Sequence, residues 1–64
     1  MKVRDVIKHI RRDGWYLART RGSHRQFRHP TKPGTVTIAG HPSMEMSEDT
    51  LRSVWKQARI GEGR

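Results

Sequence analysis

A chain of 64 residues with 31% apolar side chains has room for one domain and a thin core, since folding at this size buries only about 60% of the surface the unfolded chain exposes. Fourteen Lys and Arg against six Asp and Glu give a formal net charge of +8, which draws phosphate backbones, acidic proteins or anionic surfaces and favours a shallow site for a polymer over a pocket for a small metabolite. The lack of cysteine excludes disulfides and thiolate zinc sites and suits a reducing cytoplasm, no stretch approaches the roughly 20 apolar residues of a membrane-spanning helix, and the first residues lack the apolar core of a signal peptide.

Val3, Val6, Ile7 and Ile10 recur at i, i+3, i+4 and i+7, the stripe of an amphipathic helix over about residues 3–12. Lys2, Arg4, Lys8, Arg11 and Arg12 fill its other sides, His9 is expected in solvent, and Gly14 suits the left-handed residue that ends a helix. Trp15–Thr20 and Gln26–His29 then read as a hairpin. Gathering Trp15, Leu17 and Phe27 on one core face requires a three-residue loop, Arg21-Gly22-Ser23. The opposite face then carries Tyr16, Ala18, Thr20, His24, Gln26 and Arg28. A two-residue loop would turn Trp15 and Leu17 onto the His24 face, so the longer loop is preferred.

Pro30-Thr31-Lys32-Pro33-Gly34 is a dense turn signal. Thr35–Ile38 alternates as a third strand with Val36 and Ile38 inward, Gly40–Ser43 is a loop, and Met44 and Met46 read as core fillers in an extended segment. Ser47 suits the N-cap of a second helix, with Glu48 and Asp49 at the positive end of its dipole. Leu51, Val54, Trp55 and Ala58 repeat the helical stripe, Gly61 is placed to end it, and residues 61–64 form a frayed tail. The expected fold is α+β: a single domain over 1–64, in the order α-β-β-β-α, with two helices on one face of a three-stranded antiparallel sheet. The other face is open and bears His24, Gln26 and Arg28.

His24 has two readings. One is a surface histidine beside a turn. The other is a general acid or base, since imidazole changes charge near neutral pH. RNA carries its own nucleophile, the ribose 2′-OH. A base that takes its proton, with cations stabilising the charge on the phosphorane, cleaves the strand without a metal or cofactor. Arg21, Arg25 and Arg28 lie near enough in sequence to supply the cations, and Tyr16 is placed to stack on a base. His41 is either a turn residue or a second acid–base group reaching the open face. His29, five residues beyond His24, faces the other way and packs near the sheet edge or Pro30. No histidine pair has metal-binding helical spacing, no carboxylates converge on a histidine, and there is no glycine-rich phosphate loop.

The ordered set Gly14-Trp15, Gly22-Ser23-His24, His29-Pro30, Val36-Thr37-Ile38, Thr50-Leu51-Arg52-Ser53 and Lys56-Gln57-Ala58 resembles the HicA family of toxins, from about Val3 to Ile60. The resemblance implies a double-stranded-RNA-binding-like fold in the same element order. It implies an mRNA interferase, cutting mRNA without the ribosome and halting translation, with His24 as the catalytic histidine. Arg21, Ser23, Arg25 and Arg28 become the RNA-binding candidates. The implied partner is a HicB-type antitoxin, which covers the active face in a hetero-oligomer and through which alone the toxin reaches DNA. Two departures stand out: Arg59 occupies the place of the glycine that usually follows the last helical alanine, and the third strand leads into Ala39-Gly40-His41-Pro42. The competing readings are a non-catalytic RNA-binding module of the same fold and a protein whose basic face only holds an acidic partner.

Overall fold

A computed structural model describes residues 1–60. Its elements are α1 (Val3–Arg12), β1 (Tyr16–Arg21), β2 (His24–Arg28), β3 (Val36–Ala39) and α2 (Glu48–Ala58), and the sheet is antiparallel in the order β1-β2-β3. Both helices pack on one face. The core joins Val3, Val6 and Ile10 of α1 to Phe27, Val36 and Ile38 of the sheet and Val54, Trp55 and Ala58 of α2, with Trp15 and Met46 completing it. The Trp15 indole, 1% exposed, donates its Nε1–H to the Ala58 carbonyl at 3.2 Å, so its polar edge also satisfies a carbonyl at the end of α2.

No side chain caps the start of α1. The Val3 and Arg4 amides instead donate to the carbonyls of Met44 (2.9 Å) and Pro42 (3.0 Å), and the Met46 amide donates to Met1 beside a Lys2–Glu45 bridge. The segment after β3 thus supplies the acceptors that the first turn of a helix lacks. This explains why Met46 is buried while Met44, expected in the core, is 55% exposed: in an extended segment the two flank Glu45 on the same strand, but the backbone has turned at residues 42–44 to meet α1. His9, expected in solvent, is half-buried with its ring 4.9 Å from that of Trp55.

The hairpin differs from the sequence expectation in two linked ways. Arg21 pairs with His24, so the turn has two residues, Gly22 and Ser23, and not three. Gly22 sits at φ 55° and Ser23 at negative φ, the sign pattern of a type II′ turn. A β-bulge then intervenes: Leu17 pairs with Phe27 and Arg19 with Gln26, leaving Ala18 without a partner. The extra residue reverses the alternation along β1, so Leu17 still faces the Phe27 side despite the short turn. Leu17 is nonetheless 46% exposed on an edge strand. Thr20, paired with Arg25, leaves the open face, and Arg19 and Arg21 stand on it instead.

Ser47 caps α2 as expected, its Oγ accepting the Thr50 amide at 3.3 Å. The helix ends before Gly61, which lies with the tail 61–64 outside the described residues. Arg59 adopts the left-handed conformation (φ 55°, ψ 43°). The Ile60 amide reaches Trp55 O at 2.9 Å and the Arg59 amide reaches Lys56 O at 3.2 Å, the two bonds of a Schellman motif, and Ile60 packs on the core as its apolar partner. Among the described residues, no helix is long and apolar enough to cross a membrane.

Candidate nucleic-acid interface

Cross-strand partners share a face, so the register defines the open side of the sheet. β1 contributes Tyr16, Arg19 and Arg21; β2 contributes Arg28, Gln26 and His24 opposite them; β3 adds Thr37 and Ala39 beyond Gln26 and His24. His24 therefore stands between Arg21 and Ala39, next to the hairpin tip. No Asp or Glu occurs between Asp13 and Glu45, so the whole sheet lacks carboxylates. Asp13 and Glu45 form their ion pairs away from this face, with His29 and Lys32 and with the N-terminal ammonium. Arg19, Arg21 and Arg28 consequently present uncompensated positive charge along the face of His24, with Arg21 directly opposite it and Arg28 at the far end of β2.

The four histidines differ in what holds them. His29 has a side chain only 8% exposed. Its Nδ1 accepts the amides of Thr31 and Lys32, both at 3.1 Å, which places the proton on Nε2, and this donates to Asp13 O at 2.6 Å. Its ring meets Trp15 edge-on at 5.2 Å. It ties the Pro30–Gly34 turn to the end of α1, where Gly14 at φ 110° leaves room for it: a Cβ there would lie 2.6 Å from His29 Nε2. Lys32 finishes this junction with its ammonium on Asp13 Oδ2 (2.5 Å), Ala58 O (3.3 Å) and Arg59 O (3.1 Å). That hydrogen bond, more than any other influence, lowers the pKa of the Asp13 carboxyl.

His41 is exposed, with Nδ1 engaged by the Ser43 hydroxyl (2.8 Å) and amide (3.2 Å). Its loop adjoins the hairpin tip, because the preceding residue, Gly40, donates its amide to Ser23 O at 3.3 Å. His9 rests on Trp55. His24 alone of the four is exposed with no hydrogen bond, ion pair or ring contact to its imidazole from the described residues.

Of the residues singled out in the sequence, Arg21 and Arg28 share a face with His24, and Ser23 lies beside it at the turn. Arg25 does not join them. It pairs with Ile38 on the helix-covered side and donates Nη1–H to Gly40 O at 3.0 Å, bracing the hairpin tip against the chain after β3. Arg19 was missed, because a bulge has no compositional mark; its trace was Gly22-Ser23, a glycine-first pair typical of two-residue hairpins. Among the described residues, no group of three or more His, Asp or Glu could hold a metal ion.

The family described as HicA toxin of bacterial toxin-antitoxin matches residues 3–60. This chain belongs to the HicA toxin family. The match opens on the first residue of α1 and closes on Ile60, whose amide completes the C-cap of α2, so it takes in every element of the fold and the whole open face. Membership makes the chain the toxin component of a toxin–antitoxin system. No curated protein matches the chain. In this HicA-family toxin, the arginine standing in place of the usual glycine after α2 adopts the backbone conformation that favours glycine.

Proposed function

We propose that this toxin is an endoribonuclease that cuts mRNA across its open sheet face, with His24 as the acid–base group. The observation that carries this reading is the contrast among histidines: three are engaged by neighbours, whereas His24 is free on a face with three arginines and no carboxylate. A single strand laid on the sheet brings phosphates to Arg19, Arg21 and Arg28 and lets a base stack on Tyr16. The neutral imidazole of His24 takes the proton of a ribose 2′-OH, and the oxygen attacks the adjacent phosphorus. The guanidinium of Arg21, opposite His24, and that of Arg19 next along the strand stabilise the phosphorane, whose charge exceeds that of the ground state, while Arg28 holds the strand farther along the face. The P–O5′ bond breaks, leaving a 2′,3′-cyclic phosphate on one product. The proton returns from His24 to the departing 5′-oxygen, with Nε2 of His41 as the second candidate donor.

This route uses the nucleophile of RNA itself and needs neither metal nor cofactor. It favours single-stranded mRNA, since the attack requires the 2′-oxygen to swing in line with the P–O5′ bond. Cleavage of message in the cytoplasm halts translation. A HicB-type antitoxin, as a hetero-oligomeric partner, neutralises the toxin by covering the same arginine-rich face, and DNA is contacted only through that antitoxin. The test is product chemistry: purified toxin should leave 2′,3′-cyclic phosphate ends in the presence of a chelator, and a single 2′-deoxy substitution at the cleaved position should stop the cut. Cleavage of the 2′-deoxy substrate, or loss of activity with chelator, would remove the mechanism. Salt-sensitive binding without cleavage would leave a non-catalytic RNA-binding module.

A further inference from the structure

We propose that the outer face of α1 is a second nucleic-acid surface, a stripe that tracks phosphates on the side of the molecule opposite His24. Val3, Val6 and Ile10 turn one side of α1 into the core. Arg4, Lys8, Arg11 and Arg12, at i, i+4, i+7 and i+8, are all exposed on the other. With the half-buried Ile7 they line an open groove along the helix. None of the four takes part in an ion pair, and Asp5, the one carboxylate of α1, is not paired with any of them. Like charges three and four residues apart disfavour a helix. Only Arg11 and Arg12 gain from the negative end of its dipole. The stripe therefore opposes the stability of the free protein, and an anionic ligand would relieve it.

The shape of the stripe selects the ligand. Arg4 to Arg12 spans about 12 Å along the helix axis at a rise of about 1.5 Å per residue. The phosphates of a nucleic-acid strand lie at least about 3.4 Å apart, so about two to four of them fall within that length, fewer as the strand is extended. Four cations in a line with a single aliphatic residue between them suit a linear polyanion. A protein partner would want an aromatic or broad apolar anchor, and the stripe offers none. The ligand is accordingly RNA held without regard to sequence. The inference takes the RNA class from the function proposed above, but it does not depend on cleavage.

The probe is a fluorescent single-stranded RNA of about 20 nucleotides with 2′-O-methyl riboses throughout. It lacks the nucleophile, so binding is read whether or not the protein cuts RNA. Anisotropy titrations at several salt concentrations compare wild type with R4Q/K8Q/R11Q/R12Q, glutamine being a good helix former. At about 0.7 in slope per phosphate contact on a single strand, two to four lost contacts make the plot of log affinity against log salt shallower by about 1.4 to 2.8. A change smaller than one contact's worth overturns the inference, and ordinary RNA cleaved normally by wild type in the same series would leave the proposed function standing. Conversely, a full slope change with a wild type that cuts no RNA keeps the stripe and removes the enzyme. If a polyglutamate peptide displaces the RNA at equal charge concentration, the nucleic-acid assignment falls in favour of an acidic protein. Should the quadruple variant fail to fold by circular dichroism, the pairs R4Q/R11Q and K8Q/R12Q each carry the test, with about half the slope change expected.

Discussion

Replacing Arg59 by glycine should make this toxin more stable. Arg59 is the one non-glycine residue at positive φ among the described residues, and a left-handed conformation costs an L-residue with a Cβ about 1–2 kcal/mol. Glycine removes that strain but adds freedom to the unfolded chain, which offsets about 0.4–1 kcal/mol. The bonds of the cap are all to backbone: Ile60 N–H to Trp55 O, Arg59 N–H to Lys56 O, and Lys32 Nζ to Arg59 O. They survive the change. The net gain is therefore about 0.5–1 kcal/mol, or about 2–8 °C in Tm for a domain of this size. Thermal and urea melts of R59G in an H24A background, which avoids toxicity during expression, would read it by circular dichroism. R59A is the control, because alanine removes the same charge and side chain while keeping the Cβ. An R59G no more stable than its parent, or an R59A that gains as much, would show that the left-handed backbone at residue 59 carries no such strain.

Gly14→Ala should destabilise by about 2 kcal/mol or more in the same melts, since it combines a positive φ of 110° with a Cβ 2.6 Å from His29 Nε2; a neutral result would mean that His29 does not hold this junction. The pKa of Asp13 is lowered chiefly by the Lys32 hydrogen bond, so its stabilising contribution is complete above the unfolded value of about 3.9 and is lost as pH falls through the lower folded value; D13N should be less stable than wild type at neutral pH and converge with it in strong acid. Arg25→Gln should lower stability by about 1 kcal/mol through the lost bond to Gly40 O, with RNA affinity reduced less than by R28Q in parallel anisotropy titrations.

The helices were legible because 3.6-residue periodicity survives in a small core: Val3, Val6 and Ile10, then Val54, Trp55 and Ala58, are all buried. Strict alternation also identified Val36 and Ile38. The hairpin was harder because two irregularities cancel. A turn one residue shorter than expected and a bulge one residue long return Phe27 and Leu17 to the same side, so apolar content alone led to a plausible but incorrect loop. That error hid Arg19 and misplaced Thr20, while His24, Gln26, Arg28 and Tyr16 were on the expected face regardless. Arg25 could have been separated from the site by simple alternation from His24. Met44 could not have been placed, since its exposure follows from the loop 42–44 meeting the first amides of α1, a contact between distant parts of the chain. The engagement of His29 and His41 likewise depends on which donors the turns bring to Nδ1, and that decided which histidine was left free.

The central claim is that His24 performs chemistry on RNA, and paired expression tests it most directly. Wild type and H24A are induced in bacteria without antitoxin while growth and the length of a reporter mRNA are followed. Growth arrest and cut message are expected with wild type, and intact message with normal growth for H24A at equal soluble protein. Cut message with H24A would contradict the claim.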